Sequence, residues 1–260
     1  RHRRFHPETM TALETLASGS PQEILLQALA AKPIEARTLT TALPGLDAAD
    51  LQRAVDDLQR TGEVLALSGA QSAETVLLSR VWWAAWLGTL TTTLEQFHAA
   101  NPLRPGMPRE VTRRQLDIGS TRVFDTLVSA GVVQEHVADD GATLRSPGFQ
   151  IRLDSARRVQ ADRWLTAMQA TPSTPPSATD FGIDSETLAA LAHNGEIVRA
   201  SDAVAFSTEA WGSLVDGTLS FIDTHGTITM AQFRDHFGAS RKYAQAALEV
   251  VQNADDRAAL

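Results

Sequence analysis

Apolar residues recur along this chain at two alternating spacings, first three to four residues apart and then every second residue, and the switch between them repeats. Three segments carry the same junction: Leu58-Gln-Arg-Thr-Gly62-Glu-Val-Leu, Leu127-Val-Ser-Ala-Gly131-Val-Val-Gln and Leu191-Ala-His-Asn-Gly195-Glu-Ile-Val. The glycines lie 69 and 64 residues apart. Each stands where a helix is expected to end in a left-handed residue and a strand to begin. Beyond each glycine the pattern predicts a hairpin. The strands are Val64–Leu67 with Thr75–Leu78 around a loop at 69–73, Val132–Val137 with Ala142–Arg145 across Asp140-Gly141, and Ile197–Arg199 with Ala203–Phe206.

Ahead of each glycine the helical spacing predicts two short helices. They are Glu35–Leu43 and Asp47–Thr61, Arg109–Leu116 and Ser120–Ala130, and Ala178–Phe181 and Ser185–His193. Asp47 is placed to cap its helix, with Leu51, Val55 and Leu58 on one face; Phe124, Leu127 and Val128 point inward in the second unit. Longer helices open the units at Ser20–Ala31, Val81–Ala100 and Ser155–Ala170. Three helices followed by a hairpin is winged-helix order, with the third helix in the recognition position and the hairpin as the wing. A fourth unit starts at Ser207 with helices predicted over Glu209–Thr224, Met230–Phe237 and Ser240–Val251, but neither glycine nor hairpin follows. The expected fold is therefore α+β, mainly α with small β-hairpins: four tandem winged-helix modules, the last with a truncated or altered wing. Their spans are 1–79, 80–150, 151–206 and 207–260. The Pro-rich stretch Thr171–Ser177 reads as an exposed loop that makes the third module the weakest, a spacer.

Composition narrows the function. The chain has 260 residues, no cysteine and a formal charge of −8, so disulfides and thiolate metal sites are excluded. No apolar run approaches the ~20 residues that span a bilayer. The basic start, Arg1 to His6, leads into an amphipathic stretch rather than a secretory signal, and reads as the interior of a longer polypeptide. Charge is uneven. Residues 1–79 hold 7 Lys+Arg against 10 Asp+Glu, residues 80–163 hold 11 against 9, and residues 164–260 hold 5 against 12. Any nucleic-acid contact must therefore be a local patch on an acidic body. The histidines lack metal-ligand spacing, and no nucleophile–base set or carboxylate pair stands out, so neither metal nor catalysis is expected.

Two motifs then resemble a known family. Asn101-Pro-Leu-Arg-Pro-Gly-Met-Pro-Arg109-Glu110, and Phe233-Arg-Asp-x-x-Gly-Ala-Ser-Arg-Lys-Tyr-Ala244, are similar to the C-terminal region of bacterial selenocysteine-specific elongation factors of the SelB type; Arg3-Arg4-Phe5-His6-Pro7 resembles its lead-in. The resemblance implies protein biosynthesis in the cytoplasm, by a monomer. An N-terminal GTPase body would bind GTP, magnesium and selenocysteinyl-tRNA. The tandem winged helices would bind the selenocysteine insertion hairpin of an mRNA, so that selenocysteine is delivered to the ribosome at a UGA codon. The only lysines are Lys32 and Lys242, so the chain has no Gly-x4-Gly-Lys-[Ser/Thr] phosphate loop and itself carries no GTPase or cofactor site.

The resemblance places the RNA-reading surface at Arg234, Ser240, Arg241, Lys242 and Tyr243. Ser240 caps a helix whose first amides attract phosphate, the three bases add charge, and Tyr243 offers a face for an unpaired base. Against this stand a solvated helix start with a core tyrosine, and the acidic Asp255 and Asp256 downstream. Arg104, Arg109, Arg113, Arg114 and Arg122 are possible secondary contacts to RNA, tRNA or the factor's body. The alternative is that prolines shape the linker while these arginines pair with Glu110 and Asp117. Trp82, Trp83 and Trp86 are expected in packing, and Arg157, Arg158 and Arg163 on a solvated face. Two other classes remain: a DNA-binding transcriptional regulator, and a protein-interaction scaffold. The recognition positions Asp47, Asp50, Asp56, Asp57, Asp184 and Glu186 disfavour the first, and net acidity suits the second.

Overall fold

A computed structural model describes residues 19–68 and 75–258, with side chains as far as 250. The lead-in at Arg3–Pro7 and the loop expected at 69–73 lie outside the described residues, as do the side chains of Asp255 and Asp256. The chain packs as two compact units, 1–100 with 106–149, and 101–105 with 150–260.

In the first unit, α1 (Pro21–Ala31) opens on a capping box in which Ser20 and Glu23 each satisfy the other's backbone amide. Next come β1 (Ile34–Glu35), a 3-10 turn over Ala36–Thr38 and the single turn α2 (Leu39–Ala42). Asp47 caps α3 (Ala48–Thr61) by accepting from the Ala49 amide at 3.0 Å, and Leu51, Val55 and Leu58 are buried as their spacing predicts. After α3 come β2 (Val64–Ser68) and β3 (Thr75–Ser79). The helix expected over Glu35–Leu43 is present from Ala36 to Ala42, as a 3-10 turn followed by one α turn, while Glu35 belongs to a strand. Ile34 and Glu35 pair with Leu77 and Val76 of β3 and make a three-stranded sheet where a two-stranded hairpin was expected. A two-residue strand has no period to read; its partner lies far along the chain.

The unit continues through α4 (Arg80–Ala100), β4 (Met107–Pro108), α5 (Arg109–Gln115), α6 (Thr121–Val133), β5 (Ala138–Asp139) and β6 (Thr143–Arg145). These strands again form a three-stranded antiparallel sheet, ordered β4-β6-β5. Gly106 enters β4 so close to β6 that a Cβ would lie 2.7 Å from the Leu144 carbonyl oxygen, which explains why the Pro-Gly-Met-Pro motif needs its glycine. Gly131 departs from expectation. Gly62 and Gly195 end their helices at φ 75° and 74°, as read from sequence. Gly131 instead lies inside α6, which runs on to Val133, and Glu135 takes the left-handed conformation at φ 58°. The strand expected at Val132–Val137 is consequently helix and turn. Gly131 serves close packing there: a Cβ would meet the Val137 Cγ1 at 3.1 Å.

The second unit holds α7 (Ser155–Ala170), capped by Asp154, a 3-10 turn at Ala178–Phe181, α8 (Ser185–His193), β7 (Ile197–Ser201) and β8 (Val204–Ser207). It ends with α9 (Thr208–His225), α10 (Met230–Phe237) and α11 (Arg241–Ala258). No strand follows α11 among the described residues. The Thr171–Ser177 stretch is not simply the exposed loop expected: Pro175 is buried, and the indole of the buried Trp164 donates to the Pro176 carbonyl at 2.9 Å.

Side chains gather into four hydrophobic clusters, and two hairpins each serve two of them. In β2–β3, Val64 and Leu77 face the cluster of α1 and α3, around Leu25, Leu29 and Leu51. Their neighbours Val76 and Leu78, with Leu65 and Leu67, face the next cluster, around Trp86, Leu90, Phe124 and Leu127. In β7–β8, Ile197 and Ala205 pack with Trp164 and Leu191. Ala200, Val204 and Phe206 pack with Leu214, Phe233 and Ala247 of α9–α11. The alternation of a strand thus splits one hairpin between two cores. Leu78→Ala should cost about 2–5 kcal/mol. Leu78 itself belongs to the cluster around Trp86, but the hairpin that carries it also walls the other cluster of the first unit, so both should still unfold in one transition in urea. Separate transitions followed by tryptophan fluorescence and by circular dichroism would refute that coupling.

Candidate nucleic-acid interface

Helices α10 and α11 build the surface that the sequence singled out. α10 starts on a second capping box: the Thr229 hydroxyl accepts from the Gln232 amide at 3.3 Å, and Gln232 returns a bond to the Thr229 amide at 2.8 Å. It stops at Gly238, left-handed at φ 62°, and only Gly238, Ala239 and Ser240 separate it from α11. Phe233 is buried beneath α10. On α11, Ala244, Ala246 and Ala247 form the buried face, where small side chains let the helix approach its neighbours closely. The Ser240 carbonyl accepts from the Ala244 amide at 3.0 Å and so begins the helix.

This packing leaves Arg234, Ser240, Arg241 and Lys242 exposed around one short turn. Among the described residues no carboxylate pairs with Arg234, Arg241 or Lys242. Tyr243 is placed differently. It is half-buried, its ring stands edge-on to Phe206 at 6.3 Å, and its hydroxyl donates to the Pro175 carbonyl at 2.9 Å. The Lys242 ammonium lies 5.6 Å from the Tyr243 ring centre. Both residues border a cleft of about 340 Å³, walled also by Pro175, Pro176 and the β7–β8 turn. Sequence reasoning named Tyr243 but missed its partner, because a Pro-rich loop sixty-eight residues away leaves no local signal.

The second-unit and first-unit arginines contrast with this patch. Arg109 pairs with both Asp125 and Asp139 and stands 5.5 Å from the centre of the Phe124 ring. Arg113 binds Glu110 at 2.6 and 2.8 Å and donates to the carbonyls of Ile118 and Gly119 at 2.6 and 2.9 Å, which closes the turn between α5 and α6. Arg114 also reaches Glu110, at 2.9 Å, and the Arg113 hydrogen bond is the main reason the Glu110 carboxyl is held down to about 2. Arg104 faces Glu186 at 3.6 Å, and Arg122 is engaged as well. The expected pairing with Glu110 is present; Asp125 and Asp139 stand where Asp117 was expected. Arg157 binds Asp154 at 2.8 Å, while Arg158 binds Asp162 and Glu196 at 2.6 and 2.8 Å. Trp83 and Trp86 are buried and stacked 5.3 Å apart, and Trp82 stacks on Trp86 at 6.2 Å.

A residue the sequence did not single out is His98, near the end of α4. Its Nε2 accepts from the Ser146 amide at 3.2 Å and its ring stacks on Phe149 at 3.6 Å. That acceptance requires the proton on Nδ1, which finds no hydrogen-bond partner in its buried position. Burial, and then the charge of Arg145, lower its pKa from 6.5.

Residues 91–145 match the family model of the second SelB winged helix, and residues 220–254 match that of the third; both are described as elongation factor SelB, winged helix. The segment 220–254 holds the end of α9, α10 and most of α11, and lies in the unit that the sequence repeat counts as fourth. A crystal structure of bacterial selenocysteine-specific elongation factor EF-Sec aligns with 97% of this chain at a TM-score of 0.50 and 10% identity, which shows a shared fold. The chain spans 39% of the length of that protein. No curated protein sequence matches it.

Lowered below its ordinary value, the His98 pKa means that the unfolded chain binds the proton first. Stability of the first unit should therefore fall as pH drops through about 6.5 and below, and His98→Gln should flatten that slope in urea midpoints taken from pH 8 to 5. A slope unchanged by the substitution would count against His98. Arg113→Ala, which uncovers two carbonyls and a carboxylate, should lower thermal stability clearly, whereas Arg114→Ala, 75% exposed, should change it little.

Proposed function

From the premise that this chain carries SelB-type winged-helix domains, we propose that it is the RNA-binding C-terminal part of a selenocysteine-specific translation elongation factor. In this reading the four units are tandem winged-helix modules, and the last grips the selenocysteine insertion hairpin of an mRNA. GTP, magnesium, selenocysteinyl-tRNA and the ribosome are engaged by or through a GTPase body outside this chain, which is cytoplasmic and monomeric and does no chemistry itself. Among the described residues no helix is long and apolar enough to cross a membrane.

The observation that supports the reading is the cationic turn of Arg234, Arg241 and Lys242 at the head of a recognition helix in a SelB-matched segment, with no carboxylate neutralising it among the described residues. Phosphates of a folded RNA would meet those side chains and the first amides of α11. Unpaired cations set this turn apart from the arginines of the 101–122 region, whose charge is satisfied internally. On α3 Asp56 is exposed and would repel a nucleic acid, while Asp50 and Asp57 are half-buried and paired with Arg53 and Arg60, so that helix offers no surplus of positive charge.

Binding of the hairpin, measured by fluorescence anisotropy, should weaken by about ten- to a hundredfold in Arg241→Ala/Lys242→Ala. Its logarithmic salt dependence should be shallow, corresponding to about three to five phosphates. A slope implying ten or more contacts would mean a different footprint. Equal affinity for any duplex DNA would favour a transcriptional regulator, and failure to bind any nucleic acid a protein scaffold.

A further inference from the structure

We infer that Tyr243 is a positioning residue for the RNA-reading turn: anchored to the Pro-rich loop, its ring fixes the Lys242 ammonium and the head of α11, rather than stacking on a base. The inference rests on the RNA-binding reading above and goes beyond it by naming what holds the surface in place.

The loop supplies the anchor. Proline lacks an amide hydrogen and fixes its own φ, so Pro175-Pro176 is a stiff segment that offers consecutive carbonyls without competing donors. Each carbonyl is taken by a different aromatic donor. The Trp164 indole on α7, itself 1% exposed, donates to Pro176, and the Tyr243 phenol on α11 donates to Pro175, both at 2.9 Å. The loop is thereby a strut between the opening helix of this unit and its recognition helix. With its hydroxyl held and its edge against Phe206, the Tyr243 ring has one fixed orientation. Lys242 precedes it in the chain and sets its ammonium 5.6 Å from the ring centre, an attraction between a cation and the electron-rich ring. A long, flexible lysine side chain is thus restrained before any RNA arrives, which reduces the entropy lost on binding. A base stacked on this ring would have to compete with the ammonium already placed there.

The composition of the chain makes this testable in the intact protein, since it has two lysines and a single tyrosine. In a sample labelled with carbon-13 lysine, the ε-methylene of Lys242 should be shifted upfield of Lys32 by the ring. The shift should vanish in Tyr243→Leu and shrink in Tyr243→Phe, which keeps the ring but loses the anchor. Two coincident lysine signals in the wild-type protein would overturn the inference without any RNA present. Against the selenocysteine insertion hairpin, Lys242→Ala and Tyr243→Leu should each weaken binding by about five- to tenfold, and the double variant by little more than either. Losses that multiply would mean that Tyr243 touches RNA directly, which also overturns it. If the wild-type chain ignores the hairpin, the RNA reading fails, while the lysine spectrum still decides whether Tyr243 holds Lys242. Should Tyr243→Leu unfold α11, Tyr243→Phe carries both measurements.

Discussion

A strand sends successive side chains to opposite faces, and in two hairpins of this protein both faces are apolar. Leu77 enters one core while Val76 and Leu78 enter the next, and Ala205 and Phe206 divide in the same way. Small units of this kind bury too little surface to be robust alone. Sharing a hairpin lets one set of apolar residues stabilise two neighbours, and it fixes those neighbours as a pair. Such hairpins are interior walls, so they are not free to act as wings on a nucleic acid. The hairpin of β5 and β6 serves one cluster, through Leu144, and its turn carries Asp139 and Asp140.

Charge is divided with similar economy. Arginines dominate residues 80–163, and a count by segment points to that stretch as the basic surface. In the folded chain most of them serve the architecture: Arg113 closes a turn and clamps Glu110, Arg109 spans two aspartates, and Arg158 ties α7 to Glu196. The segment with the most acidic total instead displays Arg234, Arg241 and Lys242 without carboxylate partners among the described residues. Partner geometry, rather than the number of bases, therefore decides where positive charge is left without a carboxylate partner among the described residues. The Tyr243 contacts add that this surface is held from behind by a loop whose composition alone suggested slack.

Much of this was legible in the residues. Helix spacing placed Ser155–Ala170 and Met230–Phe237 at their observed bounds, and Gly62 and Gly195 ended their helices in the left-handed conformation. Two motifs were enough to suggest the family whose models match residues 91–145 and 220–254. Expectation failed where the deciding partner was remote. Gly131 has the same local context as its counterparts, yet α6 continues past it because Val137 packs against its bare Cα. β1 and β4 exist only because β3 and β6 lie alongside them.

The sequence by itself determined most of the helices, caps such as that of Asp47, the helix ends at Gly62 and Gly195, and the residue types at the head of α11, since all of these arise from interactions a few residues apart. Only the tertiary structure decided which face of each hairpin met which core, which arginines were neutralised, and that Tyr243 turned inward to Pro175. Those outcomes depend on groups brought together from distant parts of the chain, and neither periodicity nor composition records which of them will meet.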